Sequence, residues 1–428
     1  MKRKRILYVA WGFAPFRGSG VWNPLAAVNA LARRGHDVTV LTADGATFDL
    51  IRGADWDLME RVEPGVAVVR VPHPPGVMDT LVNRWPAARA EQPGPWKRMA
   101  EERVRGIHPD PDGNGWFPAW RPAASAAARR LHAAAPFDLV IANILPAVAA
   151  GVALDLNADA GVPMALVERD SWVFNPFTAE PYGDAEASRP LLEEIYRRAV
   201  QVWYVNGSLA DLHRREFAPW AVKIREVRNG WDPEFLPEPV TPPGRAGRDG
   251  LVFRFAGQML AGFPWDFTRE AWVLARQASP LLRRSTLEMV GTAARPGFGD
   301  PNLGIAMRGW TPRADLAALY AQTDALLFIK EGAGLPTTGK IYEYMATGLP
   351  IVSSMPPEYD PRGLLEGRPL WFDAAEHTPA GLAGALARAA EHVPTDQEAA
   401  AAREHALPFR RDKILDAAFD GLEAALGW

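Results

Sequence analysis

The sequence predicts an α/β protein made of two Rossmann-like, parallel-sheet domains in succession. Three observations carry that reading. The chain has 428 residues, more than one hydrophobic core usually supports. Short unbroken apolar runs alternate with helix-period segments in both halves, the pattern of sheets buried on both faces. A Pro/Gly-dense stretch from Pro237 to Gly244 separates the halves, since neither residue continues a helix or a central strand.

In the first half, Ile6 to Ala10 reads as a strand and Gly12 to Gly20 as a glycine-bearing loop. Leu25, Val28, Leu31 and Ala32 then recur at helical spacing, and Gly35-His36-Asp37 breaks the helix before the strand Val38 to Leu41. Val66 to Val71, Phe137 to Ala142, Pro163 to Val167, Val200 to Val205 and Val222 to Val227 repeat the strand signature. Between about residues 73 and 122 the periodicity stops; about 50 irregular residues inside a domain point to a functional insertion. Past the linker, Leu251 to Phe255, Thr286 to Val290, Ala325 to Ile329 and Ile351 to Ser354 read as strands. Asp315 to Tyr320 and Ile341 to Ala346 read as helices among them, and the alanine-rich Ala380 to Ala390 and Glu398 to Leu426 as helices closing the chain. The predicted domains are 1–236 and 245–405, with 406–428 a helix returning to the first domain.

Composition narrows the function. The 47 Lys and Arg against 51 Asp and Glu give a net charge of −4, so no positive field recruits nucleic acid. With no cysteine, disulfides, thiolate metal sites and cysteine nucleophiles are excluded together. The histidines show no metal spacing, and we expect no metal and no cofactor; His36 reads as a structural residue where the second strand begins. No apolar stretch reaches the roughly 18 residues of a membrane span, and Ile6 to Ala10 is too short for a signal segment. We therefore expect a cytoplasmic protein whose basic Lys2 to Arg5 makes at most peripheral membrane contact.

The stretch from Phe328 to Ala346 carries the chemistry. An apolar strand ends, a Gly/Thr loop follows, and a helix begins near Thr338 or Gly339, so free backbone N–H groups and the positive helix end converge where a diphosphate can sit. Lys340 adds a cation in the first turn, and Glu343, one turn on, offers a carboxylate for paired ribose hydroxyls. The same spacing also serves a plain surface ion pair, and spacing alone does not choose between them.

Thr338-Gly339-Lys340-Ile341-Tyr342-Glu343-Tyr344-Met345-Ala346, followed by Gly348-Leu349-Pro350-Ile351-Val352, resembles the donor-site signature of GT-B glycosyltransferases grouped with glycosyltransferase family four. The resemblance implies two domains facing across a cleft, a donor diphosphate on the helix N-terminus at Thr337, Thr338, Gly339 and Lys340, and a ribose held by Glu343. Many members carry a second glutamate eight residues earlier, where this chain has Leu335; Glu331 is the expected substitute toward the donor sugar. Gly18-Ser19-Gly20 is similar to the family's N-terminal glycine loop, which faces donor phosphate and acceptor. Arg33 to Val40 resembles the junction after it, and Arg228 to Asp232 the Asn-Gly-x-Asp turn. Arg169-Asp170-Ser171-Trp172 looks like a motif beside the reacting carbon, with Asp170 the candidate that steers the acceptor hydroxyl or supports the oxocarbenium-like carbon. The alternative for Asp170 is a turn cap or an ion pair with Arg169.

One departure matters. Relatives often carry an arginine and a lysine after the first strand of the second domain, whereas this chain has Gln258 and no cation there. Lys340 and the helix end must then stabilise the leaving group, with Arg17 or Arg308 as further candidates. Of sixteen tryptophans, Trp85, Trp96, Trp116 and Trp120 fall in the insertion, and with Trp11, Trp22 and Trp172 are expected to contact the acceptor.

The resemblance therefore implies a hexosyltransferase-type enzyme, retaining and metal-independent, using a nucleotide-sugar donor and a small-molecule, glycan or lipid-linked acceptor in natural-product or surface-glycan biosynthesis. Two other readings stand beside it: a catalytically inactive homologue that binds nucleotide sugar or a partner subunit, and a sugar-nucleotide epimerase of the same fold.

Overall fold

The computed structural model describes all residues except 1, 52, 73–119, 145–147, 169–170, 172, 175–184, 237, 239, 241–247, 258, 260–262, 292–296, 310 and 331–336. The chain forms two compact units, Met1–Arg228 with Ile414–Trp428, and Asn229–Lys413.

In the first unit, β1 (Arg5–Ala10), β2 (Asp37–Ala43), β3 (Ala67–Val71), β4 (Leu139–Ile144), β5 (Met164–Glu168), β6 (Ala199–Tyr204) and β7 (Ile224–Glu226) form a parallel sheet in the order β3-β2-β1-β4-β5-β6-β7. Ile6 of β1 lies opposite Val38 on one side and Leu139 on the other. The second unit repeats the plan with β8 (Val252–Ala256), β9 (Thr286–Val290), β10 (Ile305–Arg308), β11 (Ala325–Ile329), β12 (Ile351–Ser354) and β13 (Trp371–Asp373), in the order β10-β9-β8-β11-β12-β13. Strand order reverses between β1 and β4 and between β8 and β11. In such sheets ligands settle at the carboxyl ends of the strands flanking that reversal. The predicted α/β architecture of two doubly wound parallel sheets is the one observed.

Alternation along single strands shows why their sequences are apolar throughout. Leu327 and Ile329 of β11 belong to one buried cluster with Phe253, Trp272 and Leu386. Leu326 and Phe328, between them, belong to another with Ile341, Tyr344 and Ile351. Period-two side chains thus feed two cores, and no polar face remains to mark the strand.

Several expectations are corrected. Val222 to Val227 shrinks to Ile224–Glu226, because Ala218–Lys223, with Pro219 near its start, coils into a 3-10 turn. β10 and β13 escaped the sequence reading, being four and three residues long with few fully buried positions. The closing helix is broken: Asp396–Glu404 starts on a capping box between Thr395 and Glu398, Leu407–Phe409 turns at Pro408, and Arg411–Leu426 follows. The expected insertion lies outside the described residues up to residue 119. Trp120, read with it as an exposed indole, is instead fully buried and donates its Nε1–H to the Val71 carbonyl at 3.0 Å.

The last helix belongs with the first unit through Leu415, Phe419 and Leu422, which are buried with Ile6, Tyr8, Leu139 and Trp203. Phe419 meets Trp203 edge-on at 5.3 Å. Arg34 and His36 reach the same helix at Glu423, at 2.8 and 3.1 Å, so His36 has the structural role expected of it. We predict that Phe419→Ala destabilises the first unit by about 3–5 kcal/mol, as a large aromatic lost from a packed core does. Urea denaturation followed by tryptophan fluorescence measures this, and a loss below about 1 kcal/mol would place the helix outside that core.

Candidate functional site

The predicted donor helix is Gly339–Thr347, and its ends follow local rules. Thr338 is the N-cap, in extended conformation, with its hydroxyl accepting from the Lys340 N–H. Gly348 closes it in the left-handed region at φ 80°, where an added methyl would meet the Ala399 carbonyl oxygen at 2.8 Å. Ile341, Tyr342, Tyr344, Met345 and Ala346 are buried, which leaves Lys340 and Glu343 on the partly exposed side.

Three contacts fix where this helix starts. Thr337 donates its hydroxyl hydrogen to Asp360 at 2.5 Å, and its carbonyl accepts from the Asn229 side chain at 2.9 Å. The Tyr344 hydroxyl accepts from the Ala256 N–H at 2.8 Å and donates to the Ala256 carbonyl at 3.1 Å. The helix N-terminus is thereby held at the carboxyl end of β8, beside the reversal in strand order.

At that end β8 continues into Gly257 and β9 into Gly291, with φ of 145° and 125°. The absence of side chains there is required. A methyl on Gly257 would meet Lys340 Cε at 1.8 Å, and one on Gly291 would meet the Gly257 oxygen at 2.2 Å. Lys340 therefore lies across bare backbone, with its Nζ 4.7 Å from the centre of the Phe255 ring. Burial pulls its ammonium from the usual 10.5 to about 8; Glu343 acts against that shift, and Lys330, at the end of β11, adds to it. Lys330 is itself lowered by burial. A cation on a helix N-terminus, above two glycines, forms a seat for a compact anion.

Glu343 points to a different set of partners. Its carboxylate pairs with Arg313, which also reaches Asp232 at 3.0 Å and stacks its guanidinium 4.7 Å from the centre of the Phe235 ring. Asp232 in turn accepts from Arg411 Nε at 2.6 Å. A small pocket here is lined by Asp232, Phe235, Leu236, Arg313, Leu316, Tyr320 and Glu343. Arg313 was missed from sequence because nothing around it marks it; its importance comes from what it touches.

In the first unit, Gly18 is extended at φ 168° and leads into the 3-10 turn Ser19–Val21, of which Gly20 is part; Trp22 begins the helix Trp22–Arg33 and is half-buried against the core. Trp11 is buried edge-on against Phe16 and Phe48 at 5.9 and 5.5 Å, so it is a packing residue. Arg17 is exposed, and Arg308 lies 3.7 Å from Glu288. Arg169, Asp170, Trp172, Trp116, Gln258 and Glu331 lie outside the described residues.

Ser171, inside the Arg169–Trp172 motif, is described and buried. Its hydroxyl accepts from the Phe174 N–H at 3.0 Å and sits 2.9 Å from His213 Nε2. Tyr204 donates to Glu168 at 2.7 Å, and the Tyr196 and Tyr204 hydroxyls lie 2.7 and 2.8 Å from His213 Nδ1. Burial keeps the ring neutral by pulling it to about 3. Sequence reading had left His213 without a role.

We predict that Gly257→Ala costs about 1–3 kcal/mol from backbone conformation alone, and more from its collision with Lys340. Combined with Lys340→Ala, part of the loss should vanish, because the methyl takes the vacated space. Strictly additive losses in thermal denaturation would show that the lysine does not lie there.

Residues 25–230 match the model of the glycosyl transferase 4-like domain. No curated protein matches the sequence. Among solved structures, HepE from Anabaena in complex with UDP and glucose is similar at a TM-score of 0.60 and 16% identity, over 99% of this chain and 100% of that one. A glycosyltransferase from Rickettsia africae is similar at 0.65 and 12%, over 100% and 99%. Sucrose-phosphate synthase from Thermosynechococcus elongatus is similar at 0.60 and 15%, over 99% and 100%. At such identities the likeness establishes the fold.

Proposed function

We propose that this chain, whose residues 25–230 match the model of the glycosyl transferase 4-like domain, is a GT-B glycosyltransferase that transfers a glycosyl unit from a nucleoside diphosphate sugar to an acceptor hydroxyl with retention of configuration. The acceptor is a small molecule, a glycan or a lipid-linked sugar, and the setting is natural-product or surface-glycan assembly in the cytoplasm. The observation that carries the donor class is the Lys340 ammonium seated over Gly257 at the N-terminus of the Gly339–Thr347 helix. The structure of HepE with UDP-glucose makes that nucleotide sugar the first donor to test.

In the reaction, the bond from the anomeric carbon to the β-phosphate oxygen breaks and its electron pair leaves with the diphosphate. The acceptor oxygen bonds to that carbon, and its proton passes to the departing phosphate oxygen on the same face. Negative charge grows on phosphate, where Lys340 and the helix N–H groups stabilise it. In this reading no divalent cation takes part in that stabilisation. Glu343 takes the ribose hydroxyls. Glu331 is assigned to the donor sugar, Asp170 to the reacting carbon, and Gly18, Ser19 and Gly20 to donor phosphate; Arg169, Trp172, Trp22 and Trp116 are assigned to the acceptor.

No described helix is long and apolar enough to cross a membrane. In this reading contact with a lipid-linked acceptor is peripheral.

The test is release of nucleoside diphosphate from UDP-, GDP- and dTDP-sugars with a panel of acceptors, followed by chromatography, with the product anomer read by NMR. We expect turnover that EDTA leaves intact and that Lys340→Ala lowers by about 10²–10³-fold. Donor binding without release identifies an inactive homologue, and conversion of donor without acceptor identifies an epimerase.

The state of Lys340 gives a second prediction. An ammonium near 8 is charged below that pH and neutral above it, so diphosphate affinity should hold at pH 7 and fall by up to about tenfold per unit above pH 8. Lys340→Arg should flatten the profile, since a guanidinium stays charged. Calorimetry with UDP across pH 7–9.5 reads both, and a flat wild-type profile would remove Lys340 from the diphosphate.

A further inference from the structure

Glu343 serves as a ribose acceptor only if its carboxylate is confined to one rotamer and left with lone pairs toward the ligand. Lys340, one turn earlier, is engaged over Phe255 and Gly257. Arg313 supplies the confinement, because its Nη2 contacts the carboxylate at Oε1.

Arg313 is fixed in its turn. It shares its guanidinium between Glu343 and Asp232, and one face lies on Phe235. Asp232 is anchored on its other oxygen by Arg411, which also donates to the Gly230 carbonyl at 3.3 Å. Cations and anions alternate along Arg411, Asp232, Arg313 and Glu343, so the four charges cancel. Side-chain exposures of 7%, 12%, 17% and 17% put the ladder where water screens little and geometry is retained. Leu316, Leu236 and Tyr320 complete the apolar wall. The Tyr320 hydroxyl is buried with no hydrogen-bond partner among the described residues, and burial, with Glu343 adding to it, pushes that phenol well above its ordinary range.

We propose that Arg313 is a positioning residue for donor recognition, fixing Glu343 as the ribose acceptor while Asp232 and Arg411 fix Arg313. The inference rests on the reading of Glu343 as the ribose-binding group. It adds that ribose selectivity depends on a residue that does not touch the nucleotide.

The experiment is titration calorimetry of the full chain with UDP and GDP against their 2′-deoxy and 3′-deoxy counterparts. Wild type should prefer the ribonucleotide by on the order of tenfold or more, the size of a hydrogen bond to a charged group. Glu343→Gln and Arg313→Gln should each bring that ratio to within about threefold of unity, and the double variant should lower it no further. Arg313→Lys, which keeps the charge without the fork, should retain part of the preference and guards against misfolding of the glutamine variant, with circular dichroism confirming the fold of each. A merely structural arginine would weaken all nucleotides alike and leave the ratio unchanged. If Glu343→Gln abolishes the preference while both Arg313 variants keep it in full, the positioning role is wrong and the ribose reading stands. If Glu343→Gln keeps the preference, or wild type binds no nucleotide, both fail.

Discussion

The site depends on one close approach: a lysine side chain lying on bare backbone where β8 ends. Lys340 occupies the space that any β-carbon at Gly257 would fill, and Gly291 leaves the same room beneath Gly257. Removing side chains there does two things at once. It lets the helix N-terminus come down onto the strand ends, where Tyr344 ties it to Ala256, and it lets the Lys340 side chain pack against backbone, where burial lowers its ammonium pKa. A cation already stripped of much of its water binds an anion with less left to desolvate, which makes the seat responsive to phosphate.

The two charged residues of the helix are kept apart by what each touches. Lys340 is drawn toward β8 through Phe255 and Gly257, while Glu343 is drawn to Arg313 and from there to Asp232 and Arg411. Residues at i and i+3 on a helix would otherwise form a simple ion pair with each other. The tertiary structure gives each its own partner, so the cation and the carboxylate can serve different parts of one ligand. The cost of burying the carboxylate is offset by the alternation of sign along the ladder.

The first unit shows a similar economy of polar groups. Glu168, Tyr204, Tyr196, His213 and Ser171 form a buried hydrogen-bonded chain at the carboxyl end of β5. Such a chain holds Ser171 in place through His213. The last helix closes the same unit by burying Leu415, Phe419 and Leu422.

Much of this was legible in sequence, and the reasons differ by feature. Strands buried on both faces betray themselves as unbroken apolar runs, so β1, β8, β11 and β12 were readable. β10 and β13, short and half-exposed, carried no such signal. The helix start near Thr338 or Gly339 and the first-turn cation Lys340 were readable because helix ends obey local rules. Trp120 misled because an indole in a Pro-rich neighbourhood looks exposed until Val71 is seen to accept its hydrogen.

The sequence by itself determined the doubly wound architecture and the helix end that offers an anion its N–H groups, because both follow from residues close in the chain. Only the tertiary structure decided that Glu343 answers to Arg313, that Lys340 lies on Gly257, and that His213 serves Ser171. Those pairs are separated by 30, 83 and 42 positions in the chain. Charge pairing, close contact and hydrogen bonding all depend on distances of a few ångström that sequence separation does not encode.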